Sequence, residues 1–418
     1  MLSDLYVANF KSIGDNGVEI QPKPLTILTG PNGAGKSSIL EALCLLSQSI
    51  GQAQFNIHSG DYVRYASPQS FVHKGELSRL LQISLTLDRS LDVDRGLRSP
   101  GMLIRYRYDP AEALQTARIG GNDIATMEWD PRKSGTPTYN VQGFPQFQHH
   151  PGVDPRAIFH SNIFGISVAN SQMMERLRVA QSVRNYISNF LQYEFFFISA
   201  FRGASKFYLD SVSGPDPSWV GTDGSMTNHI LSRIWGSREY DEAAAKISKW
   251  AETFSLGGMK AGWAGAARLS SGYVEPQLKN VIETSLASHG SRQALTFITQ
   301  IFWSKRGTTP VIEEPEISLH PESQTLLPSL FAEAVSRGVQ IIVTTHSPFL
   351  SLSLWKPISE KTLSAKDIAV YHFEKRPEGS SARKLEVSPE GRLREWIPSF
   401  SATETKLLKE FLDDVPTE

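Results

Sequence analysis

The sequence predicts an α/β head built from both ends of the chain, residues 1–110 and 281–418, with an α-rich insertion at 111–280. Three observations predict it. A β-like run, Pro24 to Thr29, ends in a glycine-rich loop, and from near Gly35 apolar residues recur at helical spacing: Ile39, Leu40, Leu43 and Leu46. A second run, Thr309 to Ile312, ends in two adjacent acids, Glu313 and Glu314. A third, Val339 to Thr345, ends in His346.

Taken in order, short β-like runs at Leu5–Val7 and Gly17–Ile20 precede the glycine-rich loop, and Leu81–Leu87 and Met102–Tyr108 follow it. Asp130 to Arg156 holds five prolines and three glycines and reads as a long loop. Ser171 to Gln192 reads as an amphipathic helix with Met173, Leu177, Val183, Ile187 and Phe190 on one face. Its Arg176, Arg178 and Arg184 are read as a solvated face rather than phosphate contacts. A strand is expected at Glu194–Ala200, two helices between Ser225 and Phe254, and a glycine-rich stretch over Gly257–Gly272. Helices are further expected from Gly290 to about Trp303, from about Glu322 to Ser336 and near Thr403–Leu412. Strands at Ile368–Phe373 and Lys384–Val387 complete the tail.

The 418 residues are 40% apolar and 20% charged, which argues against a disordered or fibrous chain. With 42 basic and 43 acidic residues, a nucleic-acid contact has to rest on a local patch. Cys44 is the only cysteine, so an internal disulfide and a multi-cysteine zinc site are both excluded. The start of the chain, with Asp4 and Lys11, does not read as a signal peptide. The apolar stretch around Phe195–Phe201 is far below the ~20 residues a bilayer span requires. The expectation is a soluble cytoplasmic protein with no membrane partner.

Gly30-Pro31-Asn32-Gly33-Ala34-Gly35-Lys36-Ser37 fits G-x-x-x-x-G-K-[ST]. Such glycines let backbone N–H groups curl around phosphate oxygens, and the helix start adds its positive dipole end. Lys36 is expected to reach the β- and γ-phosphates and Ser37 to place its hydroxyl on Mg²⁺, with Ser38 closing the binding set. Neighbouring side chains on a strand point opposite ways, so Glu313 and Glu314 can do different work. Glu313 is read as a Mg²⁺ ligand and Glu314 as the base for the attacking water. His346 is read as the residue that senses the γ-phosphate. Asp92-Val93-Asp94 reads as a hairpin loop, and His149-His150 has no acidic or cysteine partners for a metal.

These elements, in this order, resemble the ATPase heads of ATP-binding-cassette proteins and of the structural-maintenance-of-chromosomes (SMC)/RecF group. The closer match is to bacterial AAA-type ATPases related to the overcoming-lysogenisation-defect (OLD) family. It rests on Ile312-Glu313-Glu314-Pro315-Glu316, Leu319-His320-Pro321 and Thr345-His346-Ser347. Asn9-Phe10-Lys11-Ser12-Ile13 near the start, with Ile368-Ala369-Val370-Tyr371 and Glu390-Gly391-Arg392-Leu393 in the tail, adds to it. The resemblance covers about 1–110 and 280–418. It implies an ABC-ATPase-like P-loop NTPase fold, ATP and Mg²⁺ as cofactors, and two heads sandwiching two ATPs. Each ATP then meets the phosphate loop of one subunit and a signature loop of the other. Ser288-His289-Gly290-Ser291-Arg292-Gln293 resembles a degenerate S-x-G-x signature, with Ser288, Gly290 and Ser291 facing the nucleotide in trans. The usual glycine pair and following glutamine are absent, and a plain helix-capping serine is the other reading. The glutamine loop has no recognisable equivalent. Its position falls at Phe196–Arg202, where Arg202 either touches nucleotide or partner or is a surface arginine.

Many relatives append a Toprim-type nuclease domain after the histidine strand. Here 72 residues follow His346 and hold no Asp-x-Asp, so no nuclease is expected in this chain. The resemblance then implies an ATPase subunit that dimerises or oligomerises around ATP. It would regulate a separate nuclease or toxin effector, as in two-component anti-phage systems of the Septu and PARIS type. Two alternatives stay open: a RecF-like DNA-repair ATPase that binds nucleic acid, and a nucleotide-gated scaffold with little turnover. Salt-dependent DNA binding would favour the first.

Overall fold

The computed structural model describes residues 1–49, 55–87, 102–109, 114–121, 125–129, 138–141, 147–148, 188–202, 209–210, 217–263, 268–275, 277, 279–395 and 397. The strands are β1 (Leu2–Ala8), β2 (Val18–Ile20), β3 (Leu25–Thr29), β4 (Leu81–Leu87), β5 (Met102–Asp109), β6 (Leu114–Gly121), β7 (Ala125–Trp129), β8 (Thr138–Val141) and β9 (Phe147–Gln148). They continue with β10 (Phe195–Ile198), β11 (Leu209–Asp210), β12 (Met259–Trp263), β13 (Arg268–Val274), β14 (Val281–Glu283), β15 (Thr309–Glu313), β16 (Ile341–Thr345), β17 (Ile368–Arg376) and β18 (Gly379–Leu385).

The central sheet has the order β10-β15-β16-β3-β17-β18. All neighbours in it are parallel except the β17–β18 hairpin. Every residue of β3 and β16 is buried, as expected of a parallel sheet covered on both faces. The alternation of side chains divides these strands between two cores. Leu28, Val311 and Ile342 pack with Ile39, Leu40 and Leu43 of the helix Lys36–Ser49 and with β1 and β4. Leu25, Ile27, Ile312 and Val343 pack on the other face with the helices His289–Trp303 and Leu327–Ser336. A second sheet, antiparallel throughout, runs β2-β1-β4-β5-β6-β7-β8-β9. A small third sheet joins β11, β13 and β12, with β14 on β13.

The described part of the insertion departs from the α-rich expectation. It carries two helices, Thr227–Trp235 and Asp241–Thr253, but also strands β6–β9, which extend the antiparallel sheet. The hairpin signal was in the sequence as Gly120-Gly121-Asn122-Asp123, between two runs that pair antiparallel. Strands β8 and β9 fall inside Asp130–Arg156, and β12 and part of β13 inside Gly257–Gly272. Glycine and proline content misleads there because a ladder is held by backbone hydrogen bonds. The helix expected over Glu322–Ser336 is two, Pro321–Gln324 and Leu327–Ser336, with Pro328 in the first turn of the second. Strand β18 begins earlier than expected because Arg376 pairs with Gly379 across the Pro377-Glu378 turn, which sets the register. Of the helix expected at Ser171–Gln192, residues 171–187 lie outside the described residues, and Phe190–Glu194 forms a π-helical turn. The expected helix Thr403–Leu412 also lies outside them, as do Asp92–Asp94 and His149–His150. Among the described residues, no helix is long and apolar enough to cross a membrane.

The two sheets are stitched by Gln340, which is 1% exposed. Its Oε1 accepts from the Leu2 amide at 2.9 Å and the Thr309 hydroxyl at 3.0 Å. Its Nε2 donates to Leu2 O at 2.8 Å and to Lys23 O at 3.3 Å. Replacement by leucine strands buried donors and acceptors on β1 and β15. Gln340→Leu is therefore expected to destabilise the protein by about 2–4 kcal/mol in denaturant unfolding. A loss below about 0.5 kcal/mol would show that these groups find other partners.

Candidate functional site

Parallel register puts the C-terminal ends of four strands, β10, β15, β16 and β3, on one edge, while β17 runs on past it. Thr29 pairs with Thr345 and with His372, Glu313 with Thr344, and Ile198 with Ile312. The loop from Gly30, the turn at Glu314, His346 and the segment from Ser199 therefore leave the sheet side by side.

The loop Gly30–Gly35 needs its glycines for different reasons. Gly30 (φ +140°) lies so close to β17 that a Cβ would sit 2.3 Å from Phe373 O. At Gly35 (φ +104°) a Cβ would sit 2.4 Å from Ser380 Oγ. Gly33 (φ +71°) faces open space, where its left-handed backbone, and no neighbouring atom, favours glycine. Lys36 is 5% exposed, and its Nζ donates to Gly30 O at 2.8 Å and Pro31 O at 3.0 Å. Burial pushes the ammonium down to about 8, against the pull of Glu314, Glu316 and Glu313. Ser38 Oγ lies 3.1 Å from Ser12 Oγ, which ties the Phe10–Ile13 turn to the start of the helix.

The two acids at the end of β15 meet opposite surroundings. Burial raises the Glu313 carboxyl, while a hydrogen bond from Ser37 works the other way. Glu313 Oε2 also faces the Ala200 amide at 3.5 Å. Glu314 adopts a left-handed backbone (φ +42°), and its amide donates to Thr344 O at 3.0 Å. That turn brings Glu314 Oε1 to 3.4 Å from His346 Nε2. The His346 hydrogen bond holds the Glu314 carboxyl below the usual carboxylate range, against burial. A hydroxyl beside a carboxylate, Ser37 with Glu313, is the oxygen donor set that suits Mg²⁺, which keeps waters and phosphate oxygens as further ligands. Among the described residues, no group of three or more His, Cys, Asp or Glu could hold a metal by itself.

Two participants went unassigned in the sequence. Glu316 is buried, and its Oε1 accepts from the Thr345 hydroxyl at 2.8 Å and the His346 amide at 2.6 Å. Its Oε2 has no hydrogen-bond partner among the described residues, and burial raises its carboxyl. It stood in the quoted acidic run, and the signal for it was the polar residue two beyond Glu314. Arg202 is not a surface arginine. It is 2% exposed and donates to the backbone carbonyls of Ser199, Glu313 and Glu314.

The residues read as a signature serve the start of the helix His289–Trp303. Ser288 is its N-cap, accepting from the Ser291 amide at 3.2 Å. Ser291 is buried and donates its hydroxyl to Phe254 O at 3.2 Å. At Gly290 a Cβ would sit 2.3 Å from Ser318 O, so only glycine allows this helix to approach the turn that follows β15. The structure thus gathers Gly30–Ser38, Glu313, Glu314 and His346 at one edge, and links Ser288–Ser291 to Phe254 and Ser318.

The buried ammonium of Lys36 predicts a pH signature. Its folded pKa of about 8 lies below the ordinary 10.5, so the ligand-free fold carries a penalty that is full below pH 8. Between about 8 and 10.5 the unfolded chain binds the extra proton, so stability should rise with pH by at most about 3 kcal/mol. Lys36→Met should lack this rise, read as the difference between the two proteins' unfolding free energies across that window. A flat difference would place the ammonium in water.

Two protein families match the sequence: "AAA ATPase domain" over residues 231–350 and "AAA domain" over residues 4–56. No curated protein matches it. Solved structures similar in fold include an SMC head bound to the C-terminal winged-helix domain of ScpA, at 13% identity and TM-score 0.52 over 93% of this chain and 98% of that one. Another is an SMC head with an extended coiled coil bound to the C-terminal domain of ScpA derived from Pyrococcus furiosus. It matches at 13% identity and TM-score 0.51 over 98% of this chain and 99% of that one. The chain has an ABC-like P-loop NTPase fold similar to that of an SMC head, and the segments carrying its phosphate loop and its acidic strand match AAA-type ATPase families.

Proposed function

We propose that this chain is a Mg²⁺-dependent ATPase that closes as a dimer or higher oligomer around ATP. In this reading it regulates a separate nuclease or toxin effector in bacterial anti-phage defence. The observation that carries the ATPase reading is the meeting, at one sheet edge, of the phosphate loop with Glu313 beside Ser37 and Glu314 beside His346.

The amides of the loop and the helix start would hold the phosphates, with Pro31, Asn32 and Ala34 completing the curve between the glycines. The Lys36 ammonium now rests on carbonyls of its own loop, and a β/γ-phosphate pair offers it better acceptors. Ser37 and Glu313 would hold Mg²⁺, which when bound neutralises charge on the β- and γ-oxygens. Glu314, ionised and aimed by His346, accepts the proton of the attacking water at a carboxylate oxygen. From a second copy, the exposed Ser288 and the helix start at Gly290 would face the γ-phosphate, while the buried Ser291 hydroxyl read as part of the same set is committed to Phe254 O. The defence role and the OLD relationship rest on the resemblance of the Ile312–Glu316 and Thr345–Ser347 motifs.

Lys36→Ala should lose Mg-ATP binding in calorimetry, because it removes the cation that meets the β/γ-phosphate charge. Glu314→Gln keeps size and hydrogen-bonding reach but cannot accept a proton. It should bind ATP, release phosphate about 10²–10⁴-fold more slowly, and accumulate an ATP-bound assembly in light scattering. Wild-type turnover in Glu314→Gln would move the base elsewhere, with Glu313 the first suspect. Slow turnover without any ATP-dependent change of mass, in a protein monomeric throughout, would retain the base and remove the sandwich.

A further inference from the structure

Strand β10 pairs with β15 only as far as Ile198 with Ile312. Beyond that point no strand among the described residues pairs with β15 on this side, and the Glu314 carbonyl accepts from the Ile317 amide at 3.1 Å within the turn. Arg202 reaches the carbonyls of both acids. Its Nη1 donates to Glu313 O and to Ser199 O (3.0 Å), and its Nη2 donates to Glu314 O at 2.9 Å. One planar fork therefore spans two successive peptide units, a geometry that a single ammonium cannot reproduce. The guanidinium lies over the Phe297 ring, its carbon 5.4 Å from the centroid, and its buried Nε has no hydrogen-bond partner among the described residues. On the opposite side, the Glu314 amide is held by Thr344. The left-handed turn that aims the Glu314 carboxylate at His346 is thus pinned from both neighbouring elements.

The same segment reaches the other acid, through the Ala200 amide at Glu313 Oε2. Burying a guanidinium this deeply is costly, and burial pushes it down to about 10 while the three neighbouring glutamates pull it up. A buried cation serving backbone carbonyls on both proposed reactive acids has a more specific use than packing.

We propose that Arg202 is a positioning residue of the hydrolytic site, holding the Glu313–Glu314 backbone from which the base is presented. This rests on the ATPase reading given above. Arg202 does not touch the nucleotide in this scheme. It acts by fixing the backbone that presents the base, where a shift of about 1 Å can cost about 10²-fold in rate.

The test compares Arg202→Lys and Arg202→Ala with wild type in Mg-ATP calorimetry, steady-state phosphate release and backbone hydrogen exchange of the nucleotide-free protein. Affinity should stay within about threefold, while kcat falls about 10–100-fold, less for lysine than for alanine. Methylguanidinium added to the alanine variant should restore part of kcat. Exchange should quicken in peptides covering residues 313–319 and stay unchanged in those covering 36–49. Unchanged kcat overturns the proposal, and so does loss of affinity in proportion to kcat, which marks a merely structural arginine. If the alanine variant fails to fold, the lysine variant decides on the same readouts. If wild-type protein shows no turnover, the ATPase reading fails first. Exchange then decides the clamp by itself, with unchanged rates at 313–319 overturning it.

Discussion

The parallel pairing of β3 with β16 on one side and β17 on the other is the constraint from which the site follows. Thr26 lies opposite both Ile342 and Ala369, so a strand from the start of the chain is enclosed by strands from its end. Parallel neighbours cannot be joined by a tight turn, so the intervening chain must leave the sheet and return. This is why a long insertion is tolerated between the phosphate loop and the acidic strand. Register is fixed by burial on both faces. A one-residue slip of β3 would move Leu28 and Ile27 into each other's cores and carry Gly30 away from Phe373.

Much of this was legible in the residues, because the central strands are continuous apolar runs that end in chemically distinctive groups. The phosphate loop, the acidic pair and the histidine each follow such a run, and the structure places them on one edge. The insertion was less legible. Its strands β6–β9 pair in sequence order through backbone hydrogen bonds, and such a ladder leaves a weaker side-chain pattern than a buried parallel strand. Arg202 was visible as a residue at the end of a strand but not as a buried one. Its neighbours Ser199 and Phe201 are respectively half-buried and 92% exposed, so nothing local marks the arginine as inward-facing. Two of its three acceptors are carbonyls more than a hundred residues away, and carbonyls carry no sequence signature.

The serine at 288 shows how one residue type supports two readings. As the N-cap it satisfies an amide of its own helix, and the Gly290–Ser318 approach sets that helix start beside the turn carrying Glu314 and Glu316. A helix start whose amides are only partly satisfied from within remains able to meet an anion. The cap and the proposed trans contact are therefore compatible uses of the same geometry, and the cap is what the isolated chain displays.

Three carboxyl groups and two buried cations share the rest of the site, and burial disfavours the charged form of both kinds. It raises Glu313 and Glu316 and lowers Lys36 and Arg202. Glu314 is the exception, because its left-handed turn carries the carboxyl out of the strand and onto His346. Two adjacent residues with the same side chain thus acquire opposite readiness to ionise. Strand alternation sends Glu313 towards Ser37, where a dication would favour its charged form, and the turn keeps Glu314 ionised without one. The difference between the two acids is set by backbone geometry, so it depends on whatever holds the Glu313–Glu314 peptide units in place.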